Sequence, residues 1–219
     1  MCRWGRWGLT ALLGITIPVM AGMLSSASTP VPAAITAHYG SPGLERVQQW
    51  RSLVARLQGQ PVPVQLAGVN DFFNRLDFVD DIDVWRQEDY WATPIEFLGI
   101  GRGDCEEFAL AKYLTLRELG VPDAQLRLHY VKYVPYNQFH MVLSWAAAPQ
   151  QMPVILDNID KTIEAATSRR DLIPIYSFNG SNLWTSTAGG QEASVGDSGR
   201  LSRWEDWQVR VRGGVMHTP

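Results

Sequence analysis

Three residues whose side chains could do nucleophilic chemistry occur in a telling order: Cys105, then His140, then Asp157. A cysteine attacks a carbonyl as its thiolate, and an adjacent imidazole takes the proton to leave a thiolate–imidazolium pair. A carboxylate on the far ring nitrogen would then fix the imidazole tautomer. Cys105 stands where the glycine-rich turn Gly99-Ile100-Gly101-Arg102-Gly103 passes into a helix-forming run, and a helix N-terminus favours negative charge on a thiol. The glycines let backbone approach a substrate and leave amides for an oxyanion, that of Cys105 among them. Each residue also has a plainer use. His140 in FHMVLSW suits a core position, Asp157 in ILDN could cap a strand end, and His129 in a nearby strand pattern is a rival base.

The residues around the thiol are acidic: Asp104 and Glu106 flank it and Glu107 follows. Their charges oppose a thiolate. They could hold a hard cation such as calcium, or serve as acids at a helix start with no metal; the residues alone favour the second. Upstream, Asp77, Asp80, Asp81 and Asp83 form a further acidic stretch. Its spacing is not that of an EF-hand and no glycine marks the sharp turn, so 69–90 reads as a solvated helix-and-turn segment. Trp85 and Trp91 read as core.

Positioning such a constellation needs a helix under the cysteine and strands under its partners. Cys105 to Leu119 is rich in helix formers, is apolar around most of its circumference and stops at Gly120-Val121-Pro122, which predicts a buried helix. Leu126–Val134, Phe139–Trp145 and Val154–Asp157 alternate with turn residues and predict strands of an antiparallel meander, with 173–178 a further candidate. Before the cysteine, Ser41-Pro42 predicts a helix start, Leu44, Val47, Trp50, Val54 and Leu57 its apolar face, and Gly59–Pro63 its end. Residues 28–40 read as a linker, 185–200 as a polar loop, and 201–212 as a closing helix or strand. Helices followed by a sheet predict an α+β domain over 41–219.

The 219-residue chain has ordinary globular composition, and 19 basic against 22 acidic residues give no nucleic-acid-binding charge. Two cysteines exclude a disulfide scaffold and a four-cysteine zinc site. Arg3 and Arg6, the apolar run Leu9–Leu24 and the small residues Ser25-Ser26-Ala27 predict a signal peptide over 1–27. That run falls short of the ~20 residues a spanning helix needs, so the cleaved chain is expected to be no integral membrane protein. Removing the leader removes Cys2 and leaves Cys105 as the one thiol in an oxidising compartment.

The segment DYWATPIEFLGIGRGDCEEFALAKYLTLRELGVP, followed by LRLHYV, HMVLSW, LDN and DLIPIYSFN, resembles the bacterial transglutaminase-like cysteine proteinases from about Val69 to Trp184. The resemblance implies a papain/transglutaminase-like core, a triad of Cys105, His140 and Asp157, and a Ca2+ site involving Asp104 and Glu106. It also implies a periplasmic endopeptidase that clips a large surface adhesin near its N-terminus, between paired alanines, and so disperses biofilm. An inner-membrane cyclic di-GMP receptor of the LapD type would hold such an enzyme inactive. Residues 1–68 and 185–219 carry little of the likeness. Two other uses of the same core are acyl transfer from glutamine to an amine and non-enzymatic binding of a peptide or receptor.

Overall fold

The computed structural model describes residues 32–186 and 192–219. The signal peptide expected over 1–27 and the first residues of the expected linker lie outside them. From Pro32 onward the linker reading is wrong. The chain is helical there and runs into α1 (Pro32–Leu57), broken only at Gly40, whose φ is 70°. Ile35 holds this first part down by burying itself in the core. Tyr39 lies so close to Gly43 and Gly99 that a methyl group at either would clash with it. The second part begins at the expected Ser41-Pro42.

α2 (Val62–Phe73) opens just after Pro61, inside the predicted helix-ending stretch. Its Val69 and Phe73 are fully buried, so the start of the 69–90 segment is core rather than solvated. β1 (Asp77–Phe78) and α3 (Asp81–Trp85) follow, and then α4 (Pro94–Ile100). Thr93 and Glu96 form a capping box at the start of α4, and Gly101 ends it in the left-handed region at φ 83°. β2 (Arg102–Gly103) pairs in parallel with β1, which lays the acidic 77–81 stretch beside the residues leading into the cysteine.

α5 (Cys105–Glu118) is the buried helix anticipated from its composition. It packs on the sheet with one side, against β3 (Leu126–Tyr133) and β4 (Gln138–Trp145), while α2 and α4 pack against it from elsewhere. Leu110 and Leu116 of α5 share one continuous core with Phe97, Leu128, Leu143 and Phe178. Burying aliphatic side chains of this size contributes roughly 1.5–3 kcal/mol each.

The chain completes the sheet with β5 (Val154–Leu156), β6 (Glu164–Ala165), β7 (Leu172–Phe178), β8 (Asn182–Ser186) and β9 (Glu192–Asp197). The strand order is β6-β5-β4-β3-β7-β8-β9, with every neighbouring pair antiparallel. The meander therefore does not simply continue, because β7 returns to the free edge of β3. β8 and β9 occupy much of the stretch read as a loop. These short, Ser/Thr/Gly-bearing strands lie at one end of the sheet, held by ladder hydrogen bonds and by Leu183 and Val195, which pack on the core. The closing element is a helix, α6 (Ser202–Gly213), fastened by the buried Trp204 against Phe178 and Tyr113. The protein is thus an α+β molecule of helices packed on an antiparallel sheet. No helix among the described residues is long and apolar enough to cross a membrane.

Candidate active site

Cys105 is the first residue of α5, and Glu107 builds the turn in front of it by accepting the Asp104 amide at 2.9 Å and the Ala92 amide at 2.8 Å. Gly103 is required here for space. A Cβ on it would stand 3.0 Å from Glu107 and 3.0 Å from Phe97. The preceding glycines therefore serve the packing of the turn, whatever they also offer a substrate. The helix N-terminus places its partial positive charge at the sulfur. The Met141 amide of β4 donates to Sγ at 3.2 Å, which ties the sulfur directly to the strand that carries His140. Cys2, the other cysteine, lies outside the described residues. Nucleophilic chemistry needs the reduced sulfur.

His140 and Asp157 come together from adjacent strands, β4 and the end of β5. Nε2 of His140 lies 2.7 Å from Oδ1 of Asp157, and both side chains are buried. Oδ1 also accepts the Ile159 amide at 3.0 Å, and Oδ2 accepts Arg169 Nη2 at 2.7 Å. Burial by itself would raise the Asp157 pKa, but the hydrogen bonds from His140, Ile159 and Arg169 outweigh it and hold the carboxyl well below the usual carboxylate range. The ring of Tyr133 lies 6.0 Å from that of His140. His129, the rival base, is instead engaged with Ser144 Oγ at 2.8 Å.

Asp104 and Glu106 belong to a larger buried set than the sequence suggested. Carboxylate oxygens of Asp81, Asp104 and Glu107 converge within 4.8 Å, as do those of Asp81, Asp89 and Glu106. The solvated reading of Asp81 therefore fails: it is 1% exposed. Asp81 Oδ2 accepts the Tyr90 amide at 2.5 Å, whereas its Oδ1, like Asp104 Oδ1, is buried with no hydrogen-bond partner. Burial and the neighbouring Asp104 push the Asp81 carboxyl up to about 8. Burial also raises Asp89 to about 6 against the opposing charge of Arg203, whose Nη2 lies 3.0 Å from Asp89 Oδ2. Glu106 and Glu107 are raised as well, by burial first and then by their acidic neighbours. Buried carboxyls that repel one another and keep unpartnered oxygens suit a hard dication, which takes several oxygen ligands. Glu106 Oε2 stands 3.3 Å from the Cys105 sulfur, so the charge state of this cluster is felt at that sulfur.

Sequence reading missed Asp89 and Arg169. Asp89 lacks a metal-loop spacing, and Arg169 lies in a polar turn with no motif. Trp85 and Trp91 are buried, as expected.

The fold and this arrangement define a cysteine proteinase of the transglutaminase-like kind. The family model for bacterial transglutaminase-like cysteine proteinases matches residues 48–191, and the chain belongs to that family. Among solved structures, EGTA-treated LapG of Legionella pneumophila is 38% identical, with 82% of this chain and 95% of that chain covered and a TM-score of 0.73. A second structure of Legionella pneumophila LapG is 39% identical over 82% of this chain and 94% of that one, with a TM-score of 0.71. The calcium-bound form of the same protein is 38% identical over 81% of this chain and 95% of that one, with a TM-score of 0.70. No curated protein sequence matches significantly.

Proposed function

We propose that this protein is a calcium-dependent periplasmic cysteine endopeptidase that cuts the N-terminal region of a large surface adhesin and so releases it. Membership of the proteinase family and likeness to a LapG solved in calcium-bound form support the reading. The observation that carries it is the buried His140–Asp157 hydrogen bond of 2.7 Å on the strand whose next amide donates to the Cys105 sulfur. With Nε2 committed to Asp157, the proton of neutral His140 sits on Nε2, and Nδ1 keeps the lone pair that can take the thiol proton. The thiolate adds to the scissile carbonyl, with the Cys105 amide as one oxyanion donor. The C–N bond breaks as imidazolium protonates the leaving amine. His140 then deprotonates a water, which splits the thioester and restores the thiol.

Asp81, Asp89, Asp104 and Glu106 would hold the calcium, while both Glu107 oxygens are already committed to backbone amides. Bound calcium would supply positive charge that offsets the acids beside the sulfur. An inner-membrane receptor for cyclic di-GMP is the partner this reading brings with it.

The test incubates reduced, purified protein with an N-terminal adhesin fragment carrying paired alanines, read by intact mass. Two fragments summing to the substrate plus water are expected, none from Cys105→Ala, and none in EGTA until calcium is restored. A product carrying an added amine would mean acyl transfer instead. Cleavage by Cys105→Ala, or none by the calcium-loaded wild type, overturns the proposal.

A further inference from the structure

Asp157 lies one residue beyond β5, so the sheet ladder does not fix its carboxylate. Its carbonyl is held from below by Asn74 Nδ2 at 2.8 Å and Lys112 Nζ at 3.0 Å. Those bonds place the backbone, and the Ile159 amide adds a hydrogen bond to the carboxylate at Oδ1, 3.0 Å. Oδ2, the oxygen away from the His140 bond, is held by Arg169 Nη2 at 2.7 Å. Arg169 is only 5% exposed and is itself locked by Asp171, through Nε to Oδ1 at 3.1 Å and Nη2 to Oδ2 at 2.8 Å.

We propose that Arg169, braced by Asp171, is a positioning residue that sets the plane of the Asp157 carboxylate so that Oδ1 meets His140 Nε2. The proposal rests on the reading of Cys105, His140 and Asp157 as the reacting set. A guanidinium is a planar, permanently charged fork, so it fixes both the orientation and the ionisation of a buried carboxylate. Lys112 cannot substitute, because it reaches the carbonyl and not the carboxylate. Nor is the Arg169 side chain needed merely to anchor its turn. Backbone bonds already do that, from the Val134 amide to Asp171 at 2.8 Å and from the Leu172 amide to Arg169 at 3.2 Å. Without the guanidinium, Oδ2 is left buried and unpaired, and the carboxylate must rotate or take a proton. Either change loosens the imidazole.

Two measurements test this. In the active enzyme, Arg169→Gln should lower kcat on the order of 10²-fold, the scale of a displaced catalytic group. KM should stay within about twofold, because Arg169 touches no substrate, and Arg169→Lys should recover part of the loss. In the Cys105→Ala background, the downfield proton resonance of His140 Nε2–H should be present, and Arg169→Gln should shift it upfield or lose it to exchange. Asp171→Asn keeps the arginine but removes its brace. It should move both readouts the same way by less, and it serves if Arg169→Gln does not fold. An unmoved resonance in these variants, whether or not kcat falls, reduces Arg169 to a structural ion pair and overturns the proposal. The resonance needs no substrate, so it decides this point even if the wild type cleaves nothing, an outcome that would count against the protease reading alone.

Discussion

Removing calcium should make the protein less stable as the pH rises towards neutrality, the reverse of ordinary acid denaturation. Asp81 is held up to about 8 and Asp89 to about 6, burial being the main cause in each case. The unfolded chain loses these protons near 3.8, the ordinary value for an aspartate. Between the two values the native state binds the proton and the unfolded state does not, so folding stability falls with every step up in pH. The rate is about 1.4 kcal/mol per pH unit for one group. From about pH 5.5 to about pH 7, Asp81 alone removes about 2 kcal/mol. Asp89, Glu106 and Glu107 act in the same direction.

The window should end at neutrality because of Lys112, which burial lowers to about 7. Above that value the native lysine has lost a proton that the unfolded chain keeps, which raises stability with pH and would mask the effect. Asp157 does not interfere, since its depressed value places its contribution below the unfolded aspartate range. For a domain of this size, about 2 kcal/mol lowers Tm by roughly 4–8 °C. The assay is reversible thermal unfolding, followed by circular dichroism, in EGTA across that window and again with saturating calcium. Calcium binds the deprotonated cluster and should flatten or invert the slope. A calcium-free Tm that is level or rising over the window would refute the argument that these acids are buried, close and uncompensated.

Two further outcomes follow from the same geometry. Asp104→Asn should weaken calcium binding by about tenfold or more in titration calorimetry, since it removes a buried anionic ligand, yet raise the calcium-free Tm near neutrality by relieving Asp81; a lower Tm would contradict the repulsion. Asp157→Asn should reduce kcat on the order of 10⁴-fold by stabilising the wrong imidazole tautomer. In the same cleavage assay His129→Ala should stay close to wild type, because His129 pairs with Ser144; comparable losses from the two would remove Asp157 from its special place.

The parts of the site that local pattern specifies could be read from the chain. Cys105 at a helix start, His140 on a strand and Asp157 just past the end of the next one follow from a run of helix formers, a stop at Gly120 and alternating strands. Asp81 could not be read in this way. Its burial depends on the parallel pairing of β1 with β2, two residues each, and so short a pairing leaves no periodicity in the sequence. Arg169 sits in a polar turn whose composition matches any solvated loop, and only the folded path brings it to Asp157. β8 and β9 look like loop for a related reason: each is short and mostly polar or small, and Leu183 and Val195, which they set against the core, are too few to make a pattern. The first turns of α1 were hidden because Ile35 and Tyr39 are the residues of 32–40 that pack on the core, too few to show a period.

The two carboxylate systems beside the sulfur solve opposite problems. Asp157 must remain charged in a buried place if it is to orient His140, and it is kept so by a permanent cation, Arg169, together with the Ile159 amide. The Asp81–Asp104–Glu106 cluster must not remain charged, because Glu106 stands 3.3 Å from the sulfur and an anion there opposes the thiolate. Among the described residues the cation paired with that cluster is Arg203, which meets Asp89 at its edge and whose charge also reaches Asp81. What is left can be discharged by protons or by an exchangeable cation. Protons would tie nucleophile strength to pH, whereas a dication would tie it to metal concentration. That difference makes an acidic cluster next to a cysteine intelligible as a point of control. An internal lysine or arginine in its place would give the same neutralisation permanently and leave nothing to regulate.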